Sequence, residues 1–302
     1  MRLPLFAVAI LLAACAPPEV DETQAAIIGG TTDTGDPSVV LVLGEGAVYH
    51  NTCSGSIIAP HLVLTAAHCV DTLTDSLSIG LNYTYDLGDP TPGANDTIPV
   101  ESSLIAPGYD TSVIPHLHDI AIVRVGPSLG TPLPYHGGAA QSSWIGQPLR
   151  IVGYGKTGAK LIDEGTRRSV TTEVFDISAT EIVIDNSKQP CGGDSGGPAF
   201  LTLNGISTIV GVASASTADC LTTGYYGRID NDIAFINGVL AGTSGGGTAG
   251  ATSVVPKTSS GGCNVAGDGK GGLAELLLVL FALLMIRIRP RGRVTARTSS
   301  PQ

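Results

Sequence analysis

The chain has 302 residues, of which 43% are hydrophobic and only 14% are charged, whereas soluble domains usually carry about 25% charged residues. This composition excludes a disordered chain, which needs low hydrophobicity and a high net charge. The formal net charge is −10, and without the five arginines close to the C-terminus the remainder carries −15. Such an acidic surface repels a phosphate backbone, so nucleic acid is not an expected partner. The 40 glycines and the aromatic content of 5% favour turn-rich β structure over a helical bundle.

Residues 1–15 are predicted to be an export signal. Arg2 supplies the charged start, and an apolar run through Leu12 leads to two small residues before Cys15. The alternative is a buried N-terminal helix, but the run is short and lacks an amphipathic pattern. The segment from Leu12 to Cys15 also resembles the bacterial lipobox, which implies that Cys15 is acylated. Residues 16–26 are expected to form a propeptide.

The core, residues 27–240, is predicted to be all-β. Short apolar runs are broken by Gly, Pro and Asp at intervals of about ten residues, as in antiparallel sheets. The clearest strand candidates are Ser38–Gly44, Ser56–Ile58, Leu62–Thr65, Ile120–Val125, Leu149–Gly153, Glu181–Ile184 and Ile209–Ala213. Convincing helical spacing occurs only in Ile229–Leu240, so one helix is expected to close the fold.

The C-terminal part is predicted to be a linker followed by a hydrophobic tail. Residues 241–272 contain 11 glycines and include Cys263, so they are expected to be flexible. Residues 273–302 hold the apolar run Leu276–Ile286 and the arginine cluster. The run is shorter than the roughly 20 residues that span a bilayer, and Glu275 before it is costly in lipid.

A Gly-Cys pair, a short apolar segment and a terminal arginine cluster resemble the C-terminal sorting signals of myxobacteria. The resemblance implies that the tail is removed and that Cys263 carries a surface anchor. A plain weak membrane helix and a retained hydrophobic tail are the alternatives.

Three segments carry residue types typical of nucleophilic catalysis. Ser195 lies in the run Cys-Gly-Gly-Asp-Ser-Gly-Gly-Pro, His68 in Thr-Ala-Ala-His-Cys, and Asp119 at the head of Asp-Ile-Ala-Ile-Val. A serine needs a base to take its proton and donors to hold an oxyanion, and flanking glycines let backbone N–H groups converge. Taken singly, the three could be a tight turn, a structural histidine and a strand-end acid. Their specific segments in the order His, Asp, Ser favour the catalytic interpretation.

These segments resemble the trypsin/chymotrypsin family of serine proteases, and the resemblance covers residues 27–240. It implies a fold of two packed antiparallel six-stranded β-barrels with a C-terminal helix. The first barrel would cover about residues 27–130 and the second about residues 131–240. The active site would lie in the cleft between them.

The resemblance also implies a role for each candidate residue. Ser195 would be the nucleophile, His68 the general base and then the acid, and Asp119 the group that orients the imidazole. The backbone N–H groups of Gly193 and Ser195 would form the oxyanion hole.

Four of the six cysteines match disulfides of this family, which implies the bridges Cys53–Cys69 and Cys191–Cys220. The two other cysteines fall in the lipidation and sorting motifs described above. Disulfides in the core indicate an oxidising compartment.

The start of the core resembles the new N-terminus of activated family members. The resemblance implies that a freed ammonium at Ile27 pairs with Asp194 and orders the oxyanion hole. A strand start with a glycine turn is the alternative. Ala26 stands where family members commonly have Arg or Lys, which disfavours a trypsin-like activator and favours an elastase-like activator or the protein itself.

The predicted specificity pocket departs from the trypsin pattern. Gln189 stands six residues before Ser195, where trypsin-like enzymes place an Asp, and a buried cation would be left unpaired there. Ser214 belongs to a segment resembling the strand that pairs with substrate backbone, and Ser216 and Gly224 match pocket walls. Because Gln189 can donate and accept hydrogen bonds, small or uncharged polar substrate side chains are expected.

The sequence therefore predicts a secreted, surface-anchored serine endopeptidase of a Gram-negative, myxobacterium-like organism. Its partners would be protein or peptide substrates, an activating protease unless it activates itself, and a membrane reached through a lipid anchor or the C-terminal segment. No cofactor or metal is expected. The alternative is a non-catalytic binding protein on a protease scaffold. An esterase of the α/β-hydrolase type is disfavoured, since its triad runs Ser, Asp, His.

Overall fold

The protein is mostly β structure. The computed structural model describes residues 27–45, 50–71, 76–88, 96–242 and 253–254. The predicted export signal, propeptide and hydrophobic tail, together with Cys15 and Cys263, lie outside the described residues. Within these ranges, no helix is long and apolar enough to cross a membrane.

The described chain contains fifteen strands. In chain order they are β1 (Thr31–Thr32), β2 (Val39–Glu45), β3 (His50–Ala59), β4 (Leu62–Thr65), β5 (Ser76–Gly80), β6 (Thr97–Ile105), β7 (Ala121–Val125), β8 (Pro148–Gly153), β9 (Arg168–Glu173), β10 (Asp176–Ile177), β11 (Glu181–Asp185), β12 (Pro198–Leu203), β13 (Ile206–Ser216), β14 (Thr223–Arg228) and β15 (Ser253–Val254). Short 3-10 helices cover Ala67–Cys69, Ser142–Trp144 and Ile229–Asp232, and the α-helix α1 spans Ile233–Leu240.

Six strands close into a barrel in the order β6-β5-β2-β3-β4-β7, with β7 pairing back onto β6. The short β15 pairs with Ser103 and Leu104 of β6, which also pair with β7. Every residue of β2 from Val39 to Gly44 is buried, because an unbroken apolar run suits a strand covered on both faces. Strands β2, β3, β4 and β7 supply much of one continuous apolar core.

Eight strands form the second sheet in the order β1-β9-β8-β12-β13-β14-β11-β10. Its apolar core includes Leu149, Ile151 and Ile182, all at 0% exposure. Thr172 on β9 and Asn186, directly after β11, exchange side-chain hydrogen bonds of 2.9 and 3.1 Å. These outer strands therefore approach each other, as expected of a sheet that curls toward a barrel.

The predicted architecture is confirmed: a chymotrypsin-like β fold with a closed six-stranded barrel, a second sheet and a C-terminal helix. The seven strand candidates coincide with β2, β3, β4, β7, β8, β11 and β13. The predicted helix is present as a 3-10 turn followed by α1.

The boundary between the two sheets differs from the prediction at the N-terminal end. Strand β1 pairs with β9, and Ile27, at 1% exposure, lies in the core of the second sheet. The stretch before β2 therefore belongs to the second sheet. Of its two isoleucines, Ile27 and Ile28, Ile27 is the buried one and shares an apolar core with Trp144.

Candidate active site

Neighbouring strands bring His68 and Asp119 together. His68 lies in the 3-10 turn after β4, Asp119 lies two residues before β7, and these strands pair with Thr65 opposite Ala121. The Nδ1 atom of His68 is 2.7 Å from Oδ2 of Asp119, and the backbone N–H of His68 donates to Oδ1 at 2.9 Å. The carboxylate thus fixes the ring and its backbone, and assigns the imidazole proton to Nδ1.

Asp119 stays ionised although its side chain has 0% exposure. Burial by itself raises the pKa of Asp119. Hydrogen bonds and charge from His68, and a hydrogen bond of 2.6 Å from the Ser214 hydroxyl, outweigh burial and hold that pKa below its ordinary value. A buried anion with these donors is suited to stabilise a protonated His68.

Ser195 lies on a glycine-rich loop that Ser54 ties to the first barrel. The N–H of Ser54 donates to the carbonyl of Ser195 at 2.7 Å, and its hydroxyl donates to the carbonyl of Gly193 at 2.9 Å. Gly196 has a φ of 81°, and a Cβ there would overlap the Thr65 side chain and the Ser54 carbonyl. Direct contact between this glycine and the barrel therefore sets the position of the nucleophile candidate.

Two backbone N–H groups of this loop are available to an anionic oxygen. Gly193 has a φ of 99°, and a Cβ there would lie 2.8 Å from Cα of Gly155. Within the described residues, the N–H groups of Gly193 and Ser195 donate no hydrogen bond. A cavity of about 280 Å³ opens beside Ser195. These are the donors predicted for an oxyanion hole.

Through the ring of His116, His68 neighbours the cavity that Ser195 lines. The cavity is lined by Ser195, Ser214 and His116, and the ring centroid of His116 is 6.0 Å from that of His68. Across the described chain, no hydrogen bond joins the Ser195 hydroxyl to His68, whose Nε2 lies 3.8 Å from Sγ of Cys69. Catalytic contacts of this kind are often long without substrate and tighten on binding.

Of the four predicted pocket residues, Ser214 and Ser216 line this cavity, whereas Gln189 and Gly224 are not among its lining residues. Gly224 lies opposite Ser216 in the register of β13 and β14. A Cβ at Gly224 would lie 2.7 Å from Cδ of Pro190, so a larger residue would push against the pocket wall. Gln189 is fully buried, and neither polar atom of its amide has a partner among the described residues. The described residues that line the cavity include no acid.

Both predicted disulfides are confirmed. Cys53–Cys69 joins β3 to the turn that carries His68, and Cys191–Cys220 joins the Ser195 loop to the segment after β13. Each bridge restrains a segment that carries a catalytic or pocket candidate.

The carboxylate of Asp194 is buried between backbone amides. Gly155 and Cys191 donate to it at 2.7 and 2.9 Å. Burial raises the pKa of Asp194 to about 7, although these hydrogen bonds and the charge of Arg168 lower it. Among the described residues it has no ion-pair partner, and Ile27 makes no hydrogen bond to it. A cationic group at this position would neutralise the carboxylate.

Several functional candidates were not predicted from the sequence. His116 and Ile114, which is 79% exposed, line the cavity, and the His116 ring contacts that of Tyr109 with centroids 6.2 Å apart. The sequence also did not predict the contacts of Ser54 or the hydrogen bond between Ser214 and Asp119. In the sequence, the only indication for His116 is that it lies three residues before Asp119. This spacing does not reveal that His116 lines the cavity.

The fold and this site define a chymotrypsin-like serine protease scaffold with the His, Asp and Ser positions occupied. The family model described as Trypsin matches residues 27–236. The chain belongs to this family.

Two curated relatives carry the name chymotrypsin-like elastase family member 1. The Canis lupus familiaris protein is 28% identical over 254 residues, covering 74% of this chain and 95% of the relative. The Homo sapiens protein is 26% identical over 253 residues, with coverages of 74% and 95%. Among solved structures, human heparin binding protein has a TM-score of 0.58 at 21% identity, covering 74% of this chain and 100% of that chain. At that identity the structural likeness shows the fold alone.

Proposed function

We propose that this protein is a serine endopeptidase that hydrolyses peptide bonds through an acyl-enzyme. The observation that supports this most directly is the buried Asp119 that holds Nδ1 of His68, whose ring neighbours His116 of the cavity that Ser195 lines. Membership of the trypsin family supports hydrolase chemistry in general. The substrates would be proteins or peptides.

The first half of the reaction forms the acyl-enzyme. Nε2 of His68 takes the hydroxyl proton of Ser195 while Oγ attacks the substrate carbonyl carbon. Asp119 stabilises the resulting imidazolium through Nδ1–H. The carbonyl oxygen becomes an oxyanion that accepts hydrogen bonds from the N–H groups of Gly193 and Ser195, and one such donor typically contributes about 3 kcal/mol. His68 then gives its Nε2 proton to the leaving amine, and the C–N bond breaks.

The second half repeats these roles with water. His68 takes a proton from water, the hydroxyl oxygen attacks the ester carbon on Ser195, and the oxyanion forms again. The C–O bond to Ser195 then breaks, and His68 returns the proton to Oγ. The enzyme is restored and the acid product leaves.

The proposed specificity excludes substrate arginine and lysine at the residue before the cleaved bond. Gln189 stands where a carboxylate would be needed, and a buried unpaired cation is costly. Ser216, which lines the cavity, and Gly224, which lies opposite it on β14, would form walls that suit small or uncharged polar side chains. The relatives named elastases, rather than trypsins, support the same proposal.

Activation is proposed to require cleavage between Ala26, which lies outside the described residues, and Ile27. The new ammonium would pair with Asp194, whose buried carboxylate lacks a cation among the described residues. Cleavage after an alanine suits an elastase-like activator or self-processing.

The proposed location is the outer membrane or cell surface of a Gram-negative bacterium, reached by export. This proposal rests on the sequence motifs at Cys15 and Cys263. Cleavage before Ile27 would detach the lipid at Cys15 and leave the C-terminal anchor alone. A Cys263→Ser variant should then become soluble after processing, and membrane retention of the processed variant would contradict the proposal.

Labelling with a fluorophosphonate tests the enzymatic proposal. The full chain, processed before Ile27, should gain one adduct on Ser195, because this reagent reports a nucleophilic serine. Ser195→Ala should lose the adduct, whereas Ser207→Ala, at an exposed position, should keep it. Absence of an adduct on the processed wild type would refute catalysis and favour a binding protein on this scaffold.

A further inference from the structure

A second buried carboxyl shares a small cavity with Asp119. The cavity has a volume of about 10 Å³, close to what one water molecule needs. Asp119, Glu181, His118 and Asp232 are among the residues that line it, whereas Ser195 lines the separate substrate cavity. Asp119 thus lies between the catalytic histidine and a polar cavity outside the substrate cleft.

The fold holds the Glu181 side chain in this place. Glu181 begins β11 opposite Gly227 of β14, and its Oε2 lies 4.0 Å from where a Cβ would stand at Gly227. Ser178 fixes the backbone, because its hydroxyl accepts from the N–H of Glu181 at 2.8 Å. Glu181 is 5% exposed, and its Oε2 has no hydrogen-bond partner within the described residues.

The nearby guanidinium is committed to other partners. Arg228 donates to both carboxylate oxygens of Asp230 at 3.1 and 2.7 Å, and its Nη1 donates to the carbonyls of Ser178 and Ala179. Asn231 also lines the cavity and donates to the Ala179 carbonyl. The Arg228 charge therefore acts on Glu181 only at a distance.

The nearby imidazole is committed as well. Nδ1 of His118 lies 2.8 Å from Oδ1 of Asp232.

Burial raises the pKa of Glu181 to about 8, the charge of Asp119 adds to this rise, and Arg228 opposes it. Glu181 is therefore neutral at neutral pH and can ionise in alkaline solution.

We propose that Glu181, whose carboxyl shares the small cavity with Asp119, is a positioning residue for the His68–Asp119 pair, and that its negative charge strengthens the hold of Asp119 on protonated His68. The proposal rests on the proposed hydrolase function. His68 is an imidazolium in the transition state, so a second nearby anion lowers the barrier. Neutral Glu181 gives no such help.

The kinetic test compares the full chain, processed before Ile27, with its Glu181→Gln variant, which stays neutral at every pH. The ratio of their kcat/KM values for a peptide substrate should be near one at about pH 6.5 and rise about threefold by about pH 9.5. Using the ratio removes effects of pH that both chains share.

Glu173→Gln is the matched control, since Glu173 is exposed on β9. Its ratio to wild type should not change with pH. A ratio for Glu181→Gln that is constant with pH, whether near one or uniformly raised, would overturn the proposal, because a merely structural role would act equally at all pH values.

A second measurement does not depend on turnover. In the Ser195→Ala chain, NMR of the His68 ring should show an additional alkaline step with a midpoint near that of the Glu181 carboxyl, and Glu181→Gln should remove it. Isotopic labelling of glutamate carboxyls in the parent chain reports the Glu181 proton even if the variant does not fold. A Glu181 carboxyl that titrates like an exposed glutamate, or a missing His68 step, overturns the inference. If the step is present but the processed wild type hydrolyses no peptide, only the hydrolase function is overturned.

Discussion

At the residue scale, the central feature is a carboxylate that is both buried and well supplied with donors. Asp119 receives hydrogen bonds from the ring and backbone of His68 and from the hydroxyl of Ser214. Without them, burial would favour the neutral acid, which could not stabilise an imidazolium. Ser214 therefore contributes to keeping Asp119 charged as well as to the wall of the cavity.

Asp119→Asn and Ser214→Ala should separate these contributions. The Asn amide can present an N–H to Nδ1, which forces the imidazole proton onto Nε2, and kcat/KM should fall by about 10⁴-fold, the scale known for Ser-His-Asp triads. Ser214→Ala leaves both His68 contacts and should lower kcat/KM by roughly tenfold. Ser207→Ala is the exposed control and should change nothing. Equal losses for Asp119→Asn and Ser214→Ala would contradict this division of roles.

Gln189→Asp tests the pocket assignment. A carboxylate at this position would pair with a substrate cation, so cleavage after Arg relative to Ala should rise by about tenfold or more. Peptides that differ only at that residue provide the measurement. Gln147→Asp, at an exposed position, adds the same charge elsewhere and should leave the ratio unchanged. If Gln189→Asp has no greater effect than this control, Gln189 does not face the pocket.

The sequence identified His68, Asp119 and Ser195 because each lies in a specific short segment. It did not identify His116, Ile114 or Ser54, since their roles arise from loop packing and from contacts between sheets rather than from neighbours along the chain. Gln189 was identified by its offset from Ser195, but only the structure shows that its amide is buried without a partner among the described residues.

At the element scale, two paired strands and a glycine loop assemble the site. Strands β4 and β7 bring His68 to Asp119, and Gly196 lets the Ser195 loop pack against β3 and β4. Strands such as β2 and β4 were predictable from unbroken apolar runs. Strands β9 and β14 were not, because one is rich in polar residues and the other contains two glycines. Their strand conformation depends on pairing with neighbours.

Two glycine-to-alanine substitutions with the same backbone strain separate the energetic effect of the contact between the Ser195 loop and the barrel. Gly196 and Gly205 have φ values of 81° and 80°, but a Cβ at Gly205 would meet nothing within 4 Å. Gly205→Ala should destabilise the fold by about 1 kcal/mol through backbone strain alone. Gly196→Ala adds overlap with Thr65 and Ser54 and should cost about 2 kcal/mol more and abolish activity. Urea unfolding measures both, and equal costs would contradict the proposed packing.

At the scale of the whole molecule, the chain has a large negative net charge and also buries carboxyl groups in its interior. The chain before the tail arginines carries −15, and two buried carboxyls, Asp194 and Glu181, have raised pKa values of about 7 and about 8. A raised pKa means that the folded state binds the proton more tightly than the unfolded state. Their contributions to stability are present below about pH 4 and are lost as the pH rises through about 7 and 8.

In the unprocessed chain, the contribution of Asp194 to the free energy of unfolding should be lost as the pH rises. In a Ser195→Ala background, which prevents self-processing, Asp194→Asn should gain on the order of 2 kcal/mol of stability relative to its parent between about pH 4.5 and about pH 8. Asn stays neutral, and its single amide oxygen can accept from either Gly155 or Cys191 in place of the two carboxylate oxygens. The loss of the other hydrogen bond does not depend on pH. Asp185→Asn, at an exposed position, should show no such gain. A pH-independent difference for Asp194→Asn would contradict the effect of burial.

The central claim is peptide hydrolysis by Ser195 without trypsin-like specificity, and a peptide-library cleavage profile of the chain processed before Ile27 tests it most directly. The expected result is cleavage after small or uncharged polar residues, none after Arg or Lys, and complete loss in Ser195→Ala. Cleavage after Arg or Lys would contradict the pocket assignment. No cleavage by the processed wild type, or equal cleavage by Ser195→Ala, would contradict the catalytic account itself.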